Sequence, residues 1–416
     1  MSNEQQKIDN LENALSRKGV RGKSKSGSNE FNSEGGLTDG DLRAIFGDSG
    51  IGYASVGRVV DDAYRKGFSV DNEPLMDQFN TLNGKEKFRE AQMWGRMFGG
   101  AVIVMLISDG AEDLREPLNP NKVTSIEGLH VYDKTRVTIQ EKYSDPLDPK
   151  FEQPKIFTIA SESQTIIVHE TRTIKFGGIL TDYQTKQQRQ GWDNSAMQPV
   201  YNQLLSLFSN IKSGEQIMDE FIVGILKMKN LADLSRTKEG QRIVHKRLDI
   251  LDMTKSNENT VVTDGEEDYQ KHISSISGFN ELLEGNYSMV AGSCIPMMPQ
   301  TILFGRSPGG QNATGDSDIR LWYDAVSSFQ DNSVEPKLRE FFDLISGGTE
   351  YEITFNNVYE ETESEKSTTF KTKMEAGAVA VGAGIYSAEE IALADDTVEK
   401  LWVRDTSEPE DDAEEA

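Results

Sequence analysis

Apolar side chains recur at helical spacing where order is first expected, near Asp41. Leu42, Ile45 and Phe46 open one patch, and Val56, Val59, Val60 and Ala63 continue it until Gly67 stops it. Arg65 and Lys66 fall in the last turn, where cations suit the helix dipole. A second helix is predicted over Phe88–Phe98, ended by Gly99-Gly100. The unbroken run Ala101–Ile107 then predicts a strand buried on both faces. Shorter strand patterns follow near Leu129–Tyr132, Val137–Gln140, Ile156–Ile159, Ile166–His169 and Thr173–Phe176, separated by turn-rich segments such as Asp145-Pro146-Leu147-Asp148-Pro149. Residues 41–190 therefore predict an α+β domain.

The pattern then changes. Val200, Leu204, Leu207, Phe208 and Ile211 share a helix face behind the start signals Ser195 and Pro199. Gly214 interrupts this stripe, and Ile217, Met218 and Phe221 resume it. A helix over Pro199–Glu220 would be roughly 33 Å long. A strand-like run at Ile222–Met228, a polar basic helix at Ser235–Asp249 and strands near Ile250–Met253 and Thr260–Thr263 come next. A further helix over Phe279–Cys294 closes the segment, so two helices bracket a small αβ insertion. No internal repeat is visible.

Gly310 to Ser317 fits the outline G-x-x-x-x-G-x-S of a phosphate-binding loop, but Asp316 occupies the position where lysine must reach the phosphates. A flexible loop before a helix is the better account, with Asp316 or Ser317 as N-cap. That helix carries Ile319, Trp322, Tyr323, Val326 and Phe329 on one stripe. It breaks or kinks at Pro336, continues through Leu338, Phe341, Phe342 and Ile345, and stops at Gly347-Gly348.

Charge narrows the function. The chain has 416 residues with 69 acidic and 44 basic side chains, a formal net charge of −25, which excludes a protein that grips nucleic acid by neutralising phosphates. The hydrophobic fraction is 36% and the mean hydropathy −0.55, low for a compact globule, which points to polar segments, an elongated shape or a core partly completed by partner subunits. Cys294 is the single cysteine, so an intrachain disulfide and a cysteine metal site are both excluded, and its apolar neighbours predict a packing role. The longest apolar run, Gly99 to Ile107, is far short of the ~20 residues that span a bilayer. With no secretory leader at the N-terminus, a soluble protein made in a reducing compartment is expected. Residues 1–40 are expected to form a disordered, locally basic arm, and residues 405–416 a disordered acidic tail. Catalytic, cofactor and metal constellations are not apparent. His169-Glu170-Thr171 and His272-Ile273-Ser274 match the short H-x-[ST] pairs of two-histidine phosphoesterases, which leaves that enzyme class as an alternative.

Several motifs together resemble the portal proteins of tailed bacteriophages. They are Arg58-x-x-Asp61 with Gly67, Trp94-Gly95-Arg96-x-x-Gly99-Gly100-Ala101, His169-x-x-Arg172 with Phe176-x-Gly178, and Ser277-Gly278-Phe279. Most telling is Ile295-Pro296 followed by Leu303-Phe304-Gly305-Arg306-Ser307-Pro308-x-Gly310-x-Asn312-Ala313-Thr314-Gly315-Asp316-x-Asp318, continuing through Trp322-Tyr323-Asp324 and Gln330 to Pro336. Gly384 to Glu390 looks like the family's C-terminal helix start. The resemblance covers about residues 41–395.

What it implies is an α+β portal fold assembled as a non-enzymatic ring, usually of twelve copies, at one capsid vertex. Residues 41–195 would be the wing, 196–220 a stem helix, 221–277 the clip, 278–297 the second stem helix, and 298–349 the tunnel loop and long helix. Residues 350–404 would return to the wing or form a short crown. Double-stranded DNA would pass Arg306, Gly309, Gly310, Gln311, Asn312 and Thr314 during packaging and ejection. The glycines would give the loop freedom to follow the duplex, and the lone cation would keep its contacts weak. In the clip, Lys227, Lys229, Arg236, Lys238, Arg242, Lys246 and Arg247 are candidates for docking the terminase large subunit and a head–tail adaptor. Major capsid protein and scaffolding protein are the other implied partners, with no cofactor and no membrane. The implied location is the virion, after assembly in the host bacterial cytoplasm. Another ring-forming head–tail connector remains open beside the portal.

Overall fold

The computed structural model describes residues 37–384, apart from 112, 124, 162–163, 221–223, 228–235, 241, 245, 247–267, 272–277, 307–314 and 360–362. The chain divides into two compact units, the first ending at Asn356.

The first unit opens with α1 (Asp39–Asp48), which begins just inside the stretch expected to be a disordered arm. Thr38 and Asp41 form a reciprocal capping box, and the Leu37 amide donates to Gln198 Oε1 at 3.1 Å. The rest of the arm lies outside the described residues. α2 (Gly50–Arg65) follows, then β1 (Phe68–Val70), α3 (Glu73–Thr81) and α4 (Gly84–Phe98). β1 and α3 leave no clear mark on the periodicity because each is short. α4 starts four residues earlier than predicted, since its first turn, Gly84-Lys85-Glu86-Lys87, carries no apolar signal.

Two three-stranded antiparallel sheets form the heart of the unit. One has the order β3-β2-β7, from β2 (Gly100–Ser108), β3 (Ser125–Asp133) and β7 (Thr173–Gly177). The other has β4-β5-β6, from β4 (Val137–Lys142), β5 (Pro154–Ala160) and β6 (Thr165–His169). Single 3-10 turns, Lys134–Arg136 and Glu170–Arg172, carry the chain from one sheet to the other and back. Val102 and Val104 of β2 pack with Val137, Phe157, Ile159, Val168 and Trp192, so the sheets share one core. By strand alternation Ala101, Ile103 and Met105 face the other way, the side on which α4 packs. Covering on both faces explains the unbroken apolar run. It ends at Met105 rather than Ile107, and Leu106 is already exposed. After β7 come the short α5 (Tyr183–Gln188) and α6 (Gln198–Glu220).

β8 (Gly224–Lys227) pairs with β9 (Asp268–Lys271), a strand that the periodicity does not predict. Residues 238–240, 242–244 and 246 are helical, within the predicted basic helix; the strands expected near 250–253 and 260–263 lie outside the described residues. α7 (Phe279–Ser293) packs along α6, and α8 (Gln300–Phe304) follows it.

α9 (Asp316–Phe329) and α10 (Glu335–Ile345) make one long helix with a π-helical turn between them, Gln330–Val334. The irregularity thus precedes Pro336, which sits in the first turn of α10. Proline offers no amide to the carbonyl four residues back and its ring crowds it, so the preceding turn widens. The N-cap of α9 is Gly315, at φ +75°, with no side-chain cap, in place of the expected Asp316 or Ser317. Asp316 and Asp318 instead lie in the first turn, where carboxylates suit the dipole. Phe341 and Phe342 of α10 join Phe68, Phe79 and Phe88 in a cluster of edge and tilted ring contacts. β10 (Ile353–Phe355) pairs with β1 and closes the unit. The second unit contains α11 (Glu363–Gly382), a polar helix that the apolar pattern does not announce. The helix start expected at 384–390 lies outside the described residues apart from Gly384.

Candidate functional site

The chemistry-bearing part of the chain is the α6–α7 pair with the segment that leaves it. Gly214, where the apolar stripe lapses, does not interrupt α6. A Cβ there would stand 2.1 Å from Phe279 Cζ, so the glycine is a notch that seats the Phe279 ring and lets the helices approach. Three contacts from α7 then hold α8 and its exit. Gln300 Nε2 donates to Ser288 Oγ at 2.6 Å, Phe304 meets Tyr287 with ring centres 4.8 Å apart, and Arg306 pairs with Glu284 at 2.7 Å. The Arg306 guanidinium also lies 4.9 Å from the centre of the Tyr287 ring. Ser288, Tyr287 and Glu284 share one face of α7 by their i, i+3, i+4 spacing. The root of the glycine-rich segment is therefore fixed to the second long helix by its only arginine.

A buried polar hub plants this assembly on the α+β body. Asp62 of α2 is 3% exposed and accepts from Trp322 Nε1 at 2.9 Å and Arg58 Nε at 3.1 Å. Gln330, in the π turn, donates to the Ala63 carbonyl at 2.7 Å. Arg96, 4% exposed, donates to the Val56 carbonyl at 2.9 Å and to the Ile295 carbonyl, and its guanidinium lies 5.4 Å from the Phe329 ring centre. Burial lowers its pKa from the usual value to about 10. α2, α4, α9, the segment just after α7 and the π turn thus meet on three polar side chains. The motif Arg58-x-x-Asp61 points to the neighbouring carboxylate, but Asp61 makes a more exposed pair with Arg89. The usable signal for Asp62 is its place on the Val59–Ala63 apolar face, where a carboxylate needs partners.

Of the residues expected to face DNA, Arg306 is described and half exposed, and it is the one tied to Glu284. Gly309, Gly310, Gln311, Asn312 and Thr314 lie outside the described residues. Of the docking candidates, Lys227 ends β8, and Arg236, Lys238, Arg242 and Lys246 are exposed in or beside the helical turns. Lys229 and Arg247 lie outside the described residues.

His169 is 4% exposed and caps the turn Glu170–Arg172. Its Nδ1 lies 3.0 Å from Thr171 Oγ1 and accepts from the Thr171 amide at 3.3 Å, while Thr171 Oγ1 accepts from the Leu118 amide at 2.8 Å. Burial lowers the pKa of the ring. His272 lies outside the described residues. Cys294 is buried, and burial pushes its thiol up to about 11, away from the thiolate that reactivity requires. Among the described residues no cluster of His, Cys, Asp and Glu could hold a metal ion, and no helix is long and apolar enough to cross a membrane.

A family model described as phage portal protein matches residues 41–379. A protein named anti-CBASS protein Acb1 from Caulobacter sp. (strain RHG1) is 27% identical over 334 residues, covering 76% of this chain and 52% of that one. Its namesake from Sphingomonas paeninsulae is 24% identical over 324 residues, covering 74% and 51%. The chain spans about half the length of these curated relatives. Among solved structures, a chain of the neck of a native gene transfer agent particle, computed with C12 symmetry, shares the fold with a TM-score of 0.53 at 13% identity, covering 85% of this chain and 91% of that one.

Proposed function

Because this chain belongs to the phage portal protein family, we propose that it assembles as a ring of about twelve copies at one capsid vertex and serves as the channel for genome packaging and ejection. The observation that carries this is the ordered series α6, β8–β9, α7, α8, glycine-rich segment and α9, with the root of that segment clamped to α7. In this account 41–195 form the wing, α6 and α7 the stem, 221–277 the clip, and 298–349 the tunnel loop with its long helix. The pairing of β10 with β1 supports a return of the chain to the wing after α10. Gln311, Asn312 and Thr314 then meet the duplex, while Arg306 holds the root of their loop. The clip lysines and arginines dock the terminase large subunit and a head–tail adaptor, and the wing meets capsid and scaffolding proteins. The product is a virion component built in the host cytoplasm.

Charge supports transit over gripping. A ring of about twelve chains at −25 each carries a formal charge of about −300, so phosphates meet like charge along much of the wall. Deleting Gly309–Thr314 is expected to leave rings intact in electron micrographs while sharply reducing packaged or retained DNA. Loss of the rings themselves would remove that segment from the channel lining.

Two relatives carry the name anti-CBASS protein rather than portal protein, which keeps the two-histidine enzyme as a second reading. The burial of His169 and the use of its Nδ1 in a turn cap argue against it. Incubating the intact chain with a cyclic phosphodiester separates the two: no hydrolysis is expected, and hydrolysis lost on His169→Ala and His272→Ala would establish the enzyme instead.

A further inference from the structure

A cavity of about 780 Å³ opens between β5, β7 and α10, lined among others by Lys150, Phe157, Glu170, Lys175, Asp193 and Lys337. Lys150 is paired with Glu170 at 2.6 Å, and Lys337 with Glu340. Lys175 differs. Its Nζ makes one long hydrogen bond, 3.3 Å to the Gly191 carbonyl, and stands 4.8 Å from the Trp192 ring centre. Among the described residues no carboxylate forms an ion pair with it. The nearby carboxylate, Asp193, is taken by Lys186 at 3.0 Å.

The groups acting on Lys175 come from every side. Lys142 on β4, Lys186 on α5 and Lys337 on α10 disfavour its charge and Asp193 favours it. Of the other carboxylates lining the cavity, Glu170 and Glu340 are paired with Lys150 and Lys337, and Asp343 accepts from the Tyr351 hydroxyl at 2.6 Å. Lys142 and Lys175 both approach Gly191, where a Cβ would lie 3.3 Å from Lys142 Nζ. Burial, reinforced by these three lysines, lowers the Lys175 pKa to about 8. At neutral pH the amine is therefore still charged, half hidden from water, and short of a counter-charge in a chain whose overall charge is −25. A lysine has three donors, and one weak bond leaves the others for the cavity.

We propose that this cavity holds a small oxyanion, a phosphate or carboxylate group, with Lys175 as its principal partner. None of the lining residues belongs to the glycine-rich segment, and the site's occupancy does not depend on the portal reading.

The test uses the full-length chain and compares inorganic phosphate with potassium chloride at matched ionic strength. At pH 7, phosphate raises the melting temperature of the wild type by about 2–4 °C. The rise disappears in Lys175→Met, persists in the exposed control Lys85→Met, and fades in the wild type as the pH passes about 8. Without phosphate, Lys175→Met melts no lower than the wild type, because an uncompensated charge has been removed. Light scattering identifies the source. A carboxylate from a second copy makes Lys175→Met lose oligomer at a concentration where the wild type keeps it, whereas a free oxyanion leaves the mass unchanged. A phosphate shift of equal size in wild type and Lys175→Met, or none of these differences, overturns the proposal.

Discussion

Arg172→Ala is expected to destabilise the α+β body by about 3–5 kcal/mol, the usual result of removing one partner from a buried ion pair. The Arg172 and Asp109 side chains are 1% and 3% exposed, and the guanidinium makes both bonds of a fork, 3.2 and 2.7 Å, to the carboxylate. Its Nε also donates to the Glu116 carbonyl at 3.0 Å. One side chain thus ties the end of β2, the β2–β3 connection and the turn between the sheets. Truncation leaves Asp109 buried without its main donor. Arg172→Lys should recover little, since an ammonium cannot reproduce the fork. The pair Asp109→Leu with Arg172→Met should cost less than Arg172→Ala alone, because it removes both charges together. Urea unfolding with a common slope measures all three.

The same pair sets an acid dependence. The Arg172 hydrogen bond, ahead of other causes, holds the Asp109 carboxyl below its usual range. A depressed carboxylate pKa contributes stability that is fully present above the unfolded value, ~3.9, and is lost as pH falls through the folded one. Acid should therefore erode the difference between wild type and Asp109→Leu/Arg172→Met.

The second large effect is expected at Gly99. Gly99→Ala should cost more than about 3 kcal/mol, because two penalties coincide. The backbone is left-handed there, at φ +87°, and a Cβ would lie 2.1 Å from the Asp193 carbonyl oxygen. That oxygen cannot retreat freely, since the Asp193 amide donates back to the Gly99 carbonyl at 3.1 Å. Gly110 supplies the control: it is also left-handed, at φ +78°, with nothing near its missing Cβ. Gly110→Ala should lose only the left-handed cost of about 1–2 kcal/mol. Equal losses at the two sites would mean that close approach contributes nothing at Gly99. The motif Gly99-Gly100-Ala101 is thereby explained as packing of a helix end against the loop before α6.

Elements with long, unmixed periodicity are legible in the sequence. α6 and α7 differ from their expected ranges by a residue at one end, and the five short strands after β2 all form. Short elements are not legible: β1, β10, α3 and α8 draw their stability from partners distant in sequence, as in the β1–β10 pairing or the grip of α7 on α8. Part of the resemblance has a packing basis, since a Cβ at Gly95, Gly99 or Gly178 would run into neighbouring backbone. The polar hub is hidden at the level of sequence because Asp62, Arg96 and Gln330 look like surface residues until their buried partners are known. Arg306 looks in the sequence like a free cation for DNA; its partners Glu284 and Tyr287 lie about twenty residues earlier, on a helix face that periodicity marks only as exposed.

The proposed function depends on closure of about twelve copies into a ring. Native mass spectrometry of the purified full-length protein, with electron micrographs of the same sample, tests this closure. A single dominant species of about twelve subunits with an axial hole is the predicted result, and monomers at every concentration would contradict it.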